Sequence, residues 1–214
     1  MGTTTALRAS KQASKQTMNP KVVSRAEPVP QSHNQEECCA FPTELGAMAV
    51  AWRGRAVTRI SIGHSSEAAA LAALSSPEAE PTQYPPEFVQ ELIQRLQSYA
   101  AGDNTVTFAD VPLELSHLSP FQKKVVDRCR RIAAGGTRTY GELADQAGYP
   151  GAARAVGSVM SRNRYPIIVP CHRVVGSAGS LGGFSAPQGI SLKERMLALE
   201  GVSLKSISRS RKAK

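Results

Sequence analysis

The sequence predicts an α/β domain followed by a mostly helical domain that contains a helix-turn-helix. Strand-like runs at residues 48–52 and 57–62 flank a turn and are typical of a β-hairpin. Helical periodicity follows the hairpin, and the second half of the chain is marked by helix-capping patterns. With 214 residues, the chain is long enough for one or two domains with cores of their own.

Changes in composition divide the chain into four regions. Residues 1–34 are polar and basic and lack apolar periodicity, so we expect a disordered tail there. Residues 35–112 are predicted to form the α/β domain and residues 113–201 the helical domain. Residues 202–214 carry five basic and no acidic residues and are predicted to be a second basic tail.

The α/β domain is predicted to continue with two helices and a strand. Ser66 can cap a short helix at 67–74, because its hydroxyl can accept a hydrogen bond from the first turn. A second helix is predicted between Pro86 and Gly102. Its apolar residues recur at helical spacing: Phe88, Leu92, Leu96 and Tyr99. Residues 105–108 fit another strand.

Three capping boxes mark helix starts in the second half, at residues 119–122, 139–142 and 191–194. The second box opens a short helix, and a tight turn at 149–151 separates it from a longer helix at 152–162. A short helix, a tight glycine turn and a longer helix are typical of a helix-turn-helix.

The helix at 152–162 has an apolar face and a nearly flat face. Its core face is predicted to carry Ala152, Val156, Val159 and Met160. The opposite face carries one long side chain among small residues: Gly151, Arg154, Gly157, Ser158 and Ser161. Such a face suits the narrow minor groove, where an arginine can wedge into the duplex. The alternative is a helix packed on another part of the protein, with Arg154 in a surface ion pair.

Charge is distributed unevenly along the chain, whose formal net charge is +9. Residues 31–110 hold 4 basic and 10 acidic residues, whereas residues 111–201 hold 12 basic and 6 acidic ones. The second half is therefore the one suited to a polyanion such as DNA. Basic tails that only aid solubility would leave the charge of the second half unexplained.

A thiol and an imidazole stand side by side at Cys171 and His172, after an apolar run and before a glycine-rich segment. Cysteine is a strong nucleophile once a base ionises it, although a cysteine in an apolar run is often simply buried. In an extended segment the two side chains would point apart, so we expect a water molecule between them. Glu200 is a candidate to hold the imidazole in one tautomer.

Other readings of the cysteines and histidines are weaker. A papain-like hydrolase needs a histidine far downstream of its cysteine, and the remaining histidines all lie upstream of Cys171. Cys129 lies on an apolar helix face and is predicted to be core. No CxxC pair occurs, so a zinc ribbon is not indicated and a reducing compartment fits best. No apolar run reaches the length of a membrane span, so we expect no membrane partner.

The segments around Cys171 resemble a known family. The chain carries Ala152-Ala153-Arg154-Ala155-Val156-Gly157, then Asn163, then Pro170-Cys171-His172-Arg173-Val174. Together these segments closely resemble the O6-alkylguanine-DNA alkyltransferases over about residues 115–201, while the first half matches weakly. The resemblance implies an RNase H-like α/β domain and a winged helix-turn-helix domain.

The resemblance also implies a function. Family members flip an alkylated guanine out of duplex DNA and move its O6 alkyl group irreversibly to their own cysteine. We therefore expect a single-turnover methylated-DNA–protein-cysteine S-methyltransferase that repairs O6-alkylguanine, and also O4-alkylthymine, by direct damage reversal. We expect a monomer that binds double-stranded DNA without a cofactor, in a bacterial cytoplasm or a eukaryotic nucleus. The structural zinc of some members is not supported, since only His33, Cys38 and Cys39 are near.

The resemblance assigns roles to individual residues. Cys171 is the acceptor, His172 acts on it through water, and Glu200 orients His172. Asn163 braces the turn before the active-site strand, and Tyr140 supplies a hydroxyl and turns the 3′ phosphate. DNA-binding positions are Arg154, which fills the gap left by the flipped base, with Ala152, Ala153, Gly157 and Ser161.

Substrate contacts are implied for Val174, Phe184 and Ser185. The carbonyls of Cys171 and Val174 would receive the guanine amino group, and Ser185 would lie on the loop that contacts O6. Phe184 stands where many members have tyrosine, and Ala186 replaces a common glycine, which could narrow the pocket.

Three other functions remain open at this point. A lesion-binding protein without repair activity would lack the acceptor, and Cys171 argues against it. A transcriptional regulator would need base-reading side chains, which the flat face around Arg154 does not carry. A purely structural DNA-binding domain is the third.

Overall fold

The computed structural model describes residues 35–74, 78–177 and 180–203, which all belong to the unit Ser32–Lys214. The predicted tail at 1–34 lies outside the described residues, and so does the tail at 202–214 beyond residue 203. The strands and helices in this part form a mixed sheet with two helices, followed by a helical part.

The sheet has four strands in the order β3-β2-β1-β4. They are β1 (Glu36–Phe41), β2 (Ala47–Arg53), β3 (Ala56–His64) and β4 (Glu80–Pro81). The first three are antiparallel neighbours, and β4 runs parallel to β1. The predicted hairpin is confirmed as β2 and β3. The sequence did not predict β1, because its two leading glutamates and paired cysteines do not alternate clearly between apolar and polar.

Two helices complete the α/β part, α1 (Glu67–Ala73) and α2 (Glu87–Ala100). The predicted cap of α1 is confirmed, since Ser66 Oγ accepts a hydrogen bond from the Ala69 amide at 3.2 Å. The predicted strand at 105–108 is wrong. Its carbonyls bind arginine side chains instead of a neighbouring strand: Thr107 accepts from Arg95 and Phe108 from Arg130.

The helical part contains α3 (Pro120–Arg130), α4 (Tyr140–Gln146), α5 (Ala153–Ser161) and α6 (Gly189–Leu199). Short strands β5 (Arg138–Thr139) and β6 (Val174–Val175) pair in parallel beside them. The capping boxes predicted before α3 and α4 are confirmed, with Ser119 and Thr139 as the N-caps. The predicted order of short helix, tight turn and longer helix is therefore present as α4 and α5.

The third predicted capping box, at residues 191–194, is wrong. Helix α6 already begins at Gly189, because the Gly189 amide closes a turn onto the Ala186 carbonyl at 2.8 Å. Ser191 thus lies inside the first helical turn, where its hydroxyl donates to the Gln188 carbonyl at 2.6 Å. A serine within the helix cannot accept hydrogen bonds as an N-cap does. The predicted end of this helix near Glu200 is confirmed.

One hydrophobic core joins the sheet to the helices. It includes Trp52 from β2, Leu96 from α2, Cys129 from α3 and Met160 from α5. A hydrogen bond from the Ile60 amide to the Arg164 carbonyl, 2.8 Å long, also connects β3 to the segment after α5. The candidate active site lies between strand β3 of the sheet and the helical part. Among the described residues, no helix combines the length and hydropathy needed to span a membrane.

Candidate active site

Asn163 organises the loop that carries Cys171. Its side-chain amide donates to the Val169 carbonyl at 2.8 Å and approaches Cys171 Sγ at 3.2 Å, while its oxygen accepts from the Tyr165 amide. Within this loop Ile167 has φ 74°, a left-handed conformation that costs a β-branched residue about 1–3 kcal/mol. Asn163 therefore holds a strained loop in the one geometry that places the thiol.

Cys171 lies in a 3-10 turn that spans Cys171–Arg173, and not in the extended segment expected from the sequence. The turn forms because the Arg173 amide bonds to the Pro170 carbonyl at 2.9 Å. Cys171 is only 8% exposed. Burial raises the pKa of its thiol, and the hydrogen bond from Asn163 and the charge of Lys193 oppose that rise. The resting thiol is thus protonated, and its reaction requires a base.

His172 is adjacent to Cys171 and is completely buried. Its Nε2 lies 2.7 Å from Oε1 of Glu200, whereas Nδ1 is buried without a hydrogen-bond partner in the described part of the chain. Burial lowers the pKa of His172, although Glu200 acts in the opposite direction. Because a carboxylate only accepts hydrogen bonds, the proton of the neutral ring belongs on Nε2, and Nδ1 keeps a free lone pair.

Glu200 is the hub of a buried network at the end of α6. It accepts hydrogen bonds from Arg173 Nε at 2.9 Å and Nη2 at 2.8 Å, and from the Tyr99 hydroxyl at 2.8 Å. Burial raises the pKa of Glu200, but the hydrogen bonds from His172 and Arg173 outweigh it and bring the pKa to about 2. The carboxylate is therefore ionised, which the tautomer of His172 requires.

Replacement of Glu200 by glutamine is expected to destabilise the protein by roughly 3 kcal/mol at pH 7. The carboxyl has a pKa of about 2 when folded, below its ordinary value of 4.5. Its contribution is thus complete above pH 5 and is lost as the pH falls towards 2. Urea unfolding from pH 7 to pH 2.5 should therefore show the difference between wild type and Glu200→Gln shrinking with acidity. Ser191→Ala, on the same helix, removes no titratable group and should show no such pH-dependent difference.

A cavity of about 750 Å³ opens beside the Cys171 thiol. The predicted residues that line it are Tyr140, Gly157, Ser161, Asn163, Phe184 and Ser185. Strand β3 forms another wall with Ile60, Ser61, Ile62 and His64, which the sequence had not indicated. Burial raises the pKa of Tyr140, and the nearby Cys171 adds to the rise, so its hydroxyl keeps its proton.

The loop at 182–187 covers one side of this cavity. Ser185 Oγ donates to the Ser161 carbonyl at 2.7 Å, which ties the loop to the end of α5. Gly182 has φ 68°, and a Cβ there would lie 2.7 Å from the Tyr140 hydroxyl. Glycine tolerates the positive φ and has no Cβ to clash with the Tyr140 hydroxyl, so Gly182 lets the loop pass close to Tyr140.

Lys193 is fully buried and holds two backbone segments that follow Cys171. Its Nζ donates to the carbonyls of Val174 at 2.7 Å and Leu181 at 2.6 Å. Burial lowers the pKa of Lys193 to about 8. The structure does not bring Val174 to the cavity wall, and its carbonyl, which the resemblance assigned to guanine, already accepts from Lys193.

The small-residue face of α5 is exposed beside the cavity. Arg154, Ser158 and Ser161 lie at the surface, while Ala152 and Ala153 are half-buried at the start of the helix. The Arg154 side chain forms no hydrogen bond or ion pair with any of residues 35–74, 78–177 and 180–203. The alternative prediction, in which this face packs against the protein and Arg154 forms a surface ion pair, is therefore wrong for the described residues.

Besides the cavity wall from β3, three residues of the buried network were not predicted from the sequence: Tyr99, Arg173 and Lys193. Arg173 stands within the motif around Cys171 and could have been found there. Lys193 was visible only as a charge in an apolar helix pattern. Tyr99 matched a core position on α2 and gave no other signal.

No group of three or more potential metal ligands occurs in the described ranges. Cys38 and Cys39 are buried and free, and His33 lies outside the described residues.

The sequence matches one family model and several curated proteins. Residues 120–202 match the model of the 6-O-methylguanine DNA methyltransferase, DNA binding domain. A methylated-DNA–protein-cysteine methyltransferase of Methanosarcina acetivorans is 44% identical over 115 residues, covering 54% of this chain and 70% of that protein. The one of Mycolicibacterium paratuberculosis is also 44% identical, over 50% of this chain and 62% of its own length. Such alignments span about two thirds of the relatives.

Solved structures extend the similarity to the α/β part. Mycobacterium tuberculosis OGT, solved in complex with DNA, superposes with a TM-score of 0.64 at 33% identity, over 80% of this chain and 98% of its own. The O6-methylguanine-DNA methyltransferase of Pyrococcus kodakaraensis gives a TM-score of 0.57 at 27% identity, over 78% and 99%. With its buried Cys171 beside the exposed face of α5, this chain belongs to the methylated-DNA–protein-cysteine methyltransferase family.

Proposed function

We propose that this protein repairs alkylated DNA by moving the alkyl group from O6 of guanine to its own Cys171. The observation that carries the proposal is the position of the thiol, held by Asn163 at the wall of a cavity of about 750 Å³. The cavity is large enough to take a flipped base, and it opens beside the exposed arginine face of α5.

The transfer is a single displacement at the alkyl carbon. A bond forms from Cys171 Sγ to that carbon, while the bond from the carbon to O6 breaks and leaves its electron pair on guanine. The thiol proton passes through a bridging water molecule to Nδ1 of His172, and the Tyr140 hydroxyl gives a proton to the departing guanine. Imidazolium and tyrosinate then return to neutrality by exchange with solvent. The product thioether is a poor leaving group, so each molecule reacts once.

DNA binding is assigned to the face of α5. Small residues let this helix approach the minor groove closely, and Arg154 enters the duplex where the target base has left. Extrusion of a base costs a few kcal/mol, and the inserted guanidinium offsets part of that cost. The relative from M. tuberculosis has been solved in complex with DNA, which supports DNA as the partner.

We assign the sheet with α1 and α2 to an RNase H-like domain, and the helices with the β5–β6 pair to a winged helix-turn-helix. The strand order β3-β2-β1-β4 and the sequence of α3, α4 and α5 support this assignment. We also assign O4-alkylthymine as a second substrate and a monomer as the active form, since one chain supplies every residue of the site.

The direct test is to incubate the protein with a duplex that contains one O6-methylguanine and to map peptide masses. The proposal requires one added methyl group on the peptide with Cys171, and an equal amount of guanine restored in the DNA. Tight binding without an adduct would instead support a lesion-binding protein. Binding to undamaged promoter-like DNA with equal affinity would support a regulator.

Replacement of Tyr140 by phenylalanine is expected to slow the transfer by roughly 10²-fold, because departing guanine then lacks its proton donor. Single-turnover assays on the methylated duplex measure this rate. Tyr149→Phe is the matched control, because Tyr149 lies in the turn before α5 and does not line the cavity. Equal rates for Tyr140→Phe and wild type would exclude Tyr140 as the donor.

A further inference from the structure

We infer that Tyr99, on α2 of the α/β part, is a positioning residue that holds His172 in the tautomer able to accept the thiol proton. Its hydroxyl lies 2.8 Å from Glu200 Oε1 and 3.2 Å from His172 Nε2. The residue is only 2% exposed, and its ring packs edge-on against Phe108 at 6.3 Å between centroids. This inference rests on the proposed function, since it assigns His172 the role of base.

The direction of the hydrogen bonds follows from the donors available. A tyrosine hydroxyl has one proton, and the carboxylate of Glu200 can only accept, so Tyr99 donates to Glu200. The remaining lone pairs of the phenol oxygen then face His172 Nε2. An unprotonated Nε2 would meet oxygen lone pairs from both Tyr99 and Glu200, which repel its own lone pair. A proton on Nε2 removes the repulsion and leaves Nδ1 free to act as the base.

Tyr99 can keep this role across the working pH range. Burial raises its pKa, and the neighbouring Glu200 raises it further, so the hydroxyl stays protonated. The charged and titratable groups that face Tyr99 and His172 are Glu200, Arg173, Lys193 and Cys171. Of these, Glu200 has the only direct bond to both rings, so Tyr99 acts on His172 through position and through this carboxylate.

The consequence is that the α/β part contributes to the chemistry of the helical part. The bonds that link Tyr99 to His172 and Glu200 cross 73 and 101 positions of the chain, respectively. Loss of the Tyr99 hydroxyl leaves Glu200 with one donor fewer, so the carboxylate attracts the proton on Nε2 more strongly. The pKa of His172 then rises, and a larger fraction of the ring is protonated and unable to act as a base.

The test is Tyr99→Phe, with Tyr165→Phe as the matched control. Tyr165 is also buried, and its hydroxyl donates to the Glu114 carbonyl outside this network. We expect Tyr99→Phe to reduce the rate of single-turnover transfer about tenfold at pH 7. The transfer rate rises with pH as His172 loses its second proton, and this rising limb of the pH–rate profile should move to higher pH in the variant. Tyr165→Phe should leave the position of that limb unchanged.

Nitrogen NMR of protein with labelled histidines reads the tautomer without any transfer. Wild type should show a protonated Nε2 and an unprotonated Nδ1 for His172, assigned by loss of the signal in His172→Gln, and Tyr99→Phe should show a mixture. A wild type with the proton on Nδ1, or a Tyr99→Phe variant with an unchanged tautomer and rate profile, would overturn the inference. A wild type with the expected tautomer but no transfer would sink the proposed function alone.

A second replacement covers the case in which Tyr99→Phe does not fold. Replacing Tyr99 by 3-fluorotyrosine keeps the hydroxyl and makes it a stronger donor to Glu200. The limb of the rate profile should then move to lower pH, opposite to the shift in Tyr99→Phe. An unmoved limb in the folded fluorinated protein would contradict the positioning role.

Discussion

Cys171→Ser protein is expected to take up no methyl group from a duplex that contains O6-methylguanine. The serine hydroxyl has a much higher pKa than a thiol, so His172 cannot ionise it, and its oxygen is a poorer nucleophile. The rate should therefore fall by roughly 10³-fold or more, the scale seen when a catalytic nucleophile is removed. Peptide mass mapping after incubation with the methylated duplex measures this result.

Cys129→Ala is the matched control for the loss of a thiol. Cys129 is also buried, but it lies in the core on α3 and does not line the cavity. This variant should lose about 1–2 kcal/mol of stability and still become methylated on the peptide with Cys171. A methyl group on any cysteine of the folded Cys171→Ser protein would contradict the assignment of the acceptor.

Arg154→Ala protein is expected to repair duplex DNA roughly 30-fold more slowly while reacting normally with free O6-benzylguanine. The reason is that the flipped state loses the side chain that fills its gap, a loss of about 2 kcal/mol in the transition state. The free base needs no extrusion, so the chemistry at Cys171 should be unaffected. Single-turnover rates on the two substrates measure the difference.

Arg55→Ala is the control for a general loss of positive charge. Arg55 is exposed at the turn between β2 and β3, and it belongs to the α/β part and not to α5. Its removal should change the duplex rate little at moderate salt. Equal slowing of Arg154→Ala on the duplex and on the free base would remove the role in base extrusion.

Local patterns were sufficient where a feature depends on neighbours in the chain. The caps at Ser66, Ser119 and Thr139 were predictable, because each satisfies amides within three residues of itself. The exposed face of α5 followed from the period of 3.6 residues in the same way. The pattern at 105–108 misled, because alternation in four residues cannot show whether a neighbouring strand is present.

The network around Glu200 could be predicted only in part. His172 and Glu200 were paired because the chemistry requires an oriented imidazole. Tyr99 was not found, because its spacing on α2 is equally that of a core residue. The cavity wall formed by Ile60 and His64 of β3 was not predicted either, because the sequence pattern of a strand does not show which cavity it lines.

Residue types and short spacings in the chain predicted Cys171 as the acceptor, His172 as its base and an arginine on a flat helix face. They did so because nucleophilicity, helix capping and helical faces are properties of a few consecutive residues. Packing of the sheet against the helices determined the buried position of the thiol and the hydrogen bonds of His172, Glu200 and Tyr99 from which we infer the tautomer. These depend on burial and on bonds between segments far apart in the chain, which no local pattern encodes.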